Sequence, residues 1–100
     1  MNIRLLPSAR DDLAEGFDFY ERQGEGLGTY FLDSLCGDIE SLQLYAGIHR
    51  KVFGFHRLLA KRFPYAAYYD LEASTIRVWA VLDCRQDPKN IRRRLTGFRP

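Results

Sequence analysis

Residues 65–82 read YAAYYDLEASTIRVWAVL, and this stretch decides the fold. Residues 65–71 are aromatic and strand-like, and Glu72-Ala73-Ser74 makes a turn. In residues 75–82, Ile76, Val78, Ala80 and Leu82 are expected on one face and Arg77, Trp79 and Val81 on the other. A second face that is also largely apolar marks an interior strand, since an edge strand would carry more charge. Two long strands joined by a short turn form the centre of an antiparallel sheet.

On the N-terminal side, Arg50-Lys51-Val52-Phe53 and residues 57–63 flank Gly54 and predict a further hairpin, broken by Pro64. Before Gly47 the period changes from two to helical. Leu27, Phe31, Leu35, Ile39 and Leu42 form one stripe, and Leu13, Phe17 and Tyr20 form another. Gly24, Gly26 and Gly28 lie between them as a tight connector, so the two helices pair as an antiparallel hairpin. Residues 2–6 form a short strand, and Ser8 with Asp11 suggests a helix cap, with Asp11 and Asp12 in the first turn. On the C-terminal side, Asp87-Pro88 caps a last short helix anchored by Ile91, Leu95 and Phe98. The expected architecture is α+β: an N-terminal strand, a two-helix hairpin on an antiparallel sheet of about four strands, and a C-terminal helical tail.

The chain has 100 residues, a length that predicts one domain over residues 1–100. No apolar run approaches the ~20 residues that cross a bilayer, and the first ten residues lack the pattern of a secretory signal. Cys36 and Cys84 make no metal spacing and no disulfide framework, so the expected compartment is the cytoplasm, without a membrane partner. His49 and His56 read as two exposed loop histidines, Cys84 as a small buried residue at a strand end, and neither metal nor cofactor is expected. The net charge of +2 hides a strong division. Residues 1–49 carry three basic and nine acidic groups, a net of −6, and residues 50–100 carry twelve basic and four acidic groups, a net of +8. Nine of those twelve are Arg, whose planar fork suits phosphate and carboxylate. Arg57, Lys61, Arg62, Arg77, Arg85 and the Arg92-Arg93-Arg94 run, with Tyr65, Tyr68 and Tyr69 interleaved, suit contact with an anionic partner. They are expected on the sheet face away from the helices.

Several pieces then occur in order: Leu5-x-x-Ser8-Ala9-x-x-Asp12-Leu13, Tyr20, Phe31-Leu32-x-x-Leu35, Arg62-Phe63-Pro64-Tyr65-x-x-Tyr68-Tyr69, and Ile76-Arg77-Val78-x-Ala80-Val81-Leu82 before Arg85-Gln86-Asp87-Pro88. As an ordered set they resemble the RelE/ParE superfamily of bacterial type II toxins, also described as plasmid-stabilisation proteins. The resemblance implies a growth-inhibiting toxin neutralised by an antitoxin whose C-terminal segment wraps it. RelE-like members cleave mRNA in the ribosome, and ParE-like members inhibit DNA gyrase. Many of the RNA cutters place a histidine where this chain has Asp83, and their C-terminal tyrosine is missing from the tail Leu95-Thr96-Gly97-Phe98-Arg99-Pro100. An aspartate is a poor neutral acid near pH 7. These departures favour the ParE-like reading, with Arg85, Arg92, Arg93, Arg94 and Tyr65 meeting the target. Arg57, Lys61, Arg62 and Arg85 are the candidates if the chain is a nuclease. A small nucleic-acid-binding domain without toxicity is the remaining alternative.

Overall fold

A computed structural model describes residues 1–98; Arg99 and Pro100, the end of the tail, lie outside the described residues. The chain runs β1 (Asn2–Leu5), α1 (Pro7–Glu21), α2 (Leu27–Glu40), α3 (Leu42–Tyr45), β2 (Lys51–Val52), β3 (Phe55–Leu59), β4 (Tyr65–Glu72), β5 (Thr75–Asp83) and α4 (Pro88–Thr96). The α+β class, the helical hairpin and the C-terminal helix are as expected. The sheet differs in one respect. It has five strands in the order β1-β5-β4-β3-β2, and β1 runs parallel to β5, so the sheet is mixed. β1 lies beside β5, the strand most distant in sequence, because α1, α2 and α3 carry the chain to the opposite edge, where β2 begins.

Two cores occupy the two faces of this sheet. The larger lies under the helical hairpin and contains Leu13, Phe31, Leu35, Ile39, Tyr65, Ala67, Tyr69, Ile76, Val78 and Val81. The smaller lies under α4 and contains Phe55, Ala66, Tyr68, Ala80, Leu82 and Leu95. The face expected to be open and basic is therefore partly roofed. α4 covers it because Ile91, Leu95 and Phe98 fall on one side of that helix.

A β-bulge switches the faces of β5 part-way along the strand. Tyr68 pairs with Ala80 and Tyr69 with Val78, leaving Trp79 as an extra residue. The extra residue reverses the alternation. Ile76 and Val78 face the hairpin, whereas Ala80 and Leu82 face α4, and Val81 takes the hairpin side. The regular alternation expected over residues 75–82 fails at this point.

Local chemistry sets the ends of the elements. α1 starts at Pro7, with Leu6 in the cap position and no side-chain cap, so its first turn contains no acidic residue. Ser8 is not a cap; its hydroxyl donates to the Trp79 carbonyl at 2.6 Å. Gly28 is not part of the connector but lies within α2, buried against α1. A Cβ there would stand 2.8 Å from the Phe17 carbonyl oxygen. Glu21 at the end of α1 accepts from the amides of Gly26 and Gly28, at 3.2 and 2.9 Å, and so holds the start of α2. Phe53 (φ 51°) and Gly54 (φ 87°) form the two-residue turn between β2 and β3. Asp87 caps α4 as expected, accepting from the Lys89 amide at 2.9 Å, with Pro88 in the first position.

Candidate functional site

β1 ends at Leu5, opposite Val78, so from Trp79 onward β5 has no strand on that side. The polar residues of α1 take over. Ser8 bonds the Trp79 carbonyl, and the Asp12 carboxylate accepts the Val81 amide at 3.0 Å. Asp12 also receives both arms of the Arg94 guanidinium, each at 3.0 Å. The Asp12 side chain is 7% exposed and that of Arg94 is 40%. One carboxylate thereby joins α1, β5 and α4.

A cleft of about 520 Å³ opens beside this junction. Tyr65, Val81, Leu82 and Asp83 line it from the sheet, Asp12, Glu15 and Asp18 from α1 with Arg22 just beyond its end, and Gln86 and Arg94 from the C-terminal segment. The α1 set recurs at spacings of three, three and four, which places it on one helix face. That spacing is legible in the sequence as one polar helix face. Tyr65 is pushed up to about 12, first by burial and then by the charge of Asp83. Its phenol is neutral at physiological pH and can donate a hydrogen bond.

At the rim, Arg85 forks Asp83: its Nε and a terminal nitrogen reach the carboxylate at 3.0 and 2.8 Å, and its amide adds a third bond at 2.8 Å. The Arg85 side chain holds Asp83 below the usual carboxylate range, against the opposing effect of partial burial. Asp83 is thus an ionised anchor for an arginine.

The remaining predicted residues scatter. Arg57 lies on the α4 side of the sheet, opposite Tyr68. Lys61 and Arg62 are exposed in the β3–β4 connection, and the Lys61 amide donates to Asp38 of α2 at 3.1 Å. Arg92 and Arg93 are exposed on α4, Arg93 reaching Asn90 at 3.4 Å. Arg77 is forked by Asp70 at 2.8 and 2.7 Å, pairs with Glu72 at 3.3 Å and sits 5.1 Å from the Trp79 ring centroid. The structure thus gathers Tyr65, Arg85 and Arg94 around one cleft and leaves Arg92 and Arg93 free of carboxylate partners among the described residues. Cys84 is exposed, not buried, and its thiol is pushed up because partial desolvation outweighs the attraction of Arg57. No group of residues suited to a metal ion occurs among the described residues, and no described helix is long and apolar enough to cross a membrane.

No family model and no curated protein matches the chain. A solved structure does: a chain from the "Chromosomal ParDE TA system from P. aeruginosa" superposes with a TM-score of 0.74. It is 22% identical, and the match covers 81% of this chain and 92% of that one. This chain has the ParDE-type fold. The resemblance read from the ordered motifs and the three-dimensional match therefore lead to the same architecture, a helical hairpin packed on one face of a twisted sheet.

Proposed function

We propose that this chain is the toxin of a type II toxin–antitoxin module, acts in the cytoplasm, and is neutralised by a cognate antitoxin. The observation that carries the proposal is the fold shared with a chain of a ParDE toxin–antitoxin system, over 92% of that chain. A partner segment has a suitable place to bind. The outer side of β1 is a sheet edge, and beside it runs an apolar groove lined by Leu5, Leu13, Ala14, Phe17, Leu32 and Cys36. An amphipathic antitoxin segment fits such a groove, with ordering coupled to binding.

Within this reading we favour inhibition of DNA gyrase over cleavage of ribosome-bound mRNA. In-line phosphoryl transfer needs its catalytic groups gathered within contact distance of one phosphate. Arg57 faces α4, Lys61 is tied beside α2, and Arg85 is engaged by Asp83. This separation supports a binding surface. Arg85, Arg92 and Arg93 then meet the target, with Tyr65 as a neutral donor in the adjoining cleft and Arg94 holding α4 in position.

Induction of the chain alone should arrest growth, and co-expression with the neighbouring open reading frame should restore it. Purified chain should abolish supercoiling by gyrase or trap its cleavage complexes, and leave mRNA intact on translating ribosomes. Cuts at codon positions would replace the gyrase reading with the RelE-like one. Harmlessness under strong induction would leave the nucleic-acid-binding alternative, recognised by affinity that falls steeply with salt.

A further inference from the structure

The connector between α3 and β2, residues 46–50, is fastened to the sheet by three side chains outside the proposed target face. Tyr69 of β4 is fully buried beneath it. The Tyr69 hydroxyl accepts the Gly47 amide at 2.9 Å and meets Nδ1 of His49 at 2.5 Å. His56 of β3, the cross-strand partner of Tyr69, stacks on its ring with centroids 5.0 Å apart and 25° between planes. Its Nδ1 donates to the His49 carbonyl at 2.7 Å. The His49 ring stands edge-on to Tyr69 at 5.6 Å. Both histidines, expected as loop residues without a role, pack on this one tyrosine.

The proton positions follow from the donors and acceptors. The Tyr69 oxygen accepts the backbone amides of both Gly47 and His49, which uses its two lone pairs, so its own proton is directed at Nδ1 of His49 and that nitrogen is bare. His49 is therefore neutral, with its proton on Nε2. His56 must carry a proton on Nδ1, which it does in either charge state. A proton added to Nδ1 of His49 would set an N–H against the Tyr69 O–H. The phenol would then have to turn its proton away, in a buried position with its two partners already used.

We propose that this cluster is a proton-operated latch: neutral His49 fastens the α3–β2 connector to Tyr69, and protonation at Nδ1 releases it. The ionisable groups around His49 are Tyr69 from β4, His56 from β3, Tyr45 from α3, and Arg50 and Lys51 along its own segment. The neighbouring cleft on the His56 side adds Asp70, Glu72 and Arg77, of which Asp70 takes the fork of Arg77. Among the described residues no ion pair joins His49 to a carboxylate. Burial, and then the charge of His56, depress His49 below its ordinary value, so it is neutral at pH 7. The connector adjoins an apolar edge: Ile48 within it is 74% exposed, and Leu44 and Tyr45 at the end of α3 are 80% exposed and half-exposed. The latch sets where this apolar edge stands.

Amide hydrogen exchange on the purified full-length chain tests the latch, with rates corrected for the intrinsic effect of pH. Two conditions are compared: pH 7.5, and a lower pH at which the His49 imidazole shifts report protonation. Protection of residues 47–50 should fall about tenfold for each pH unit between the pKa values of the released and latched His49. Protection in β4 and β5 should hold. His49→Asn keeps an acceptor without a titrating proton, and its connector should stay protected and insensitive to pH. Unchanged protection of the connector with His49 protonated would overturn the proposal. So would a full pH response in His49→Asn, or loss of β4 and β5 protection together with the connector.

Discussion

Replacing Arg94 with alanine should destabilise the fold, although Arg94 sits in a run of three arginines that looks uniform in sequence. Its fork is the ionic partner of Asp12, whose carboxylate is 7% exposed. Breaking a fully buried pair by removing one partner costs about 3–5 kcal/mol, because the other charge is left without compensation. Arg94 is 40% exposed, so water can reach Asp12 in its absence, and the Val81 amide still bonds the carboxylate. These two effects lower the expected cost to about 2–3 kcal/mol. In a domain of this size each kcal/mol moves Tm by about 4–8 °C, so a fall of roughly 10–20 °C is expected. Arg92→Ala and Arg93→Ala remove exposed side chains and should each change stability by no more than ~0.5 kcal/mol. Urea denaturation followed by circular dichroism measures all three. A double-mutant cycle with Asp12→Asn should return a coupling of about 1 kcal/mol or more. If Arg94→Ala unfolds at the same urea concentration as Arg92→Ala, or if the coupling vanishes, Asp12 is not held by Arg94 and the junction of α1, β5 and α4 is misread.

Gly16→Ala should cost about 1–3 kcal/mol, since its Cβ would stand 2.5 Å from the ring of Phe31, which is fully buried and has little room to move; the urea midpoint reads this directly. In alkali the buried tyrosines decide stability. Tyr65 titrates at about 12 when folded, against 10.0 for an ordinary phenol, and burial also raises Tyr68 and Tyr69. Their neutral forms contribute full stability below pH 10, and the contribution is lost as pH rises through the folded values, so Tm should fall between pH 10 and 12. A Tm that is level across that window would mean the phenols are solvated. Arg85→Ala, and separately Arg92→Ala with Arg93→Ala, should abolish growth arrest while melting within a few degrees of the parent. Arrest that persists in both variants would show that these arginines are ordinary solvated surface.

What was legible in the sequence and what was not differ in range along the chain. The helical stripes of Leu13, Phe17 and Tyr20 and of Phe31, Leu35 and Ile39, and the Asp87-Pro88 start of α4, are written within a few residues of one another. The Arg85–Asp83 pair is local as well. By contrast, Asp12 meets Val81 and Arg94 across 69 and 82 residues, and Ser8 meets Trp79 across 71. Read locally, Ser8 and Asp12 look like helix-start residues, because the same side chains serve that purpose elsewhere. The Trp79 bulge has no local signature either, since an extra residue in β5 is defined only by the register of β4. The target face was placed on the sheet by counting charges, and counting ignores pairing. Once Asp83, Asp70 and Asp12 have taken Arg85, Arg77 and Arg94, the members of the 92–94 run left without an ion pair among the described residues are Arg92 and Arg93, on the outside of α4.

The parallel pairing of β1 with β5 sets the order in which the chain can finish folding during synthesis. During synthesis β1 waits for β5, because Asn2 aligns with Thr75 and Leu5 with Val78. Until the final quarter of the chain is made, β1 has no partner, and Ser8 and Asp12 have no backbone groups to bind. The helical hairpin can form early from neighbouring sequence, but closing the sheet carries the entropy of the long loop from Asn2 to Thr75. A nascent chain stopped before Thr75 would therefore hold a hairpin with one apolar side uncovered and no complete cleft. Any activity that depends on the junction of α1, β5 and α4 would begin only after α4 has been made.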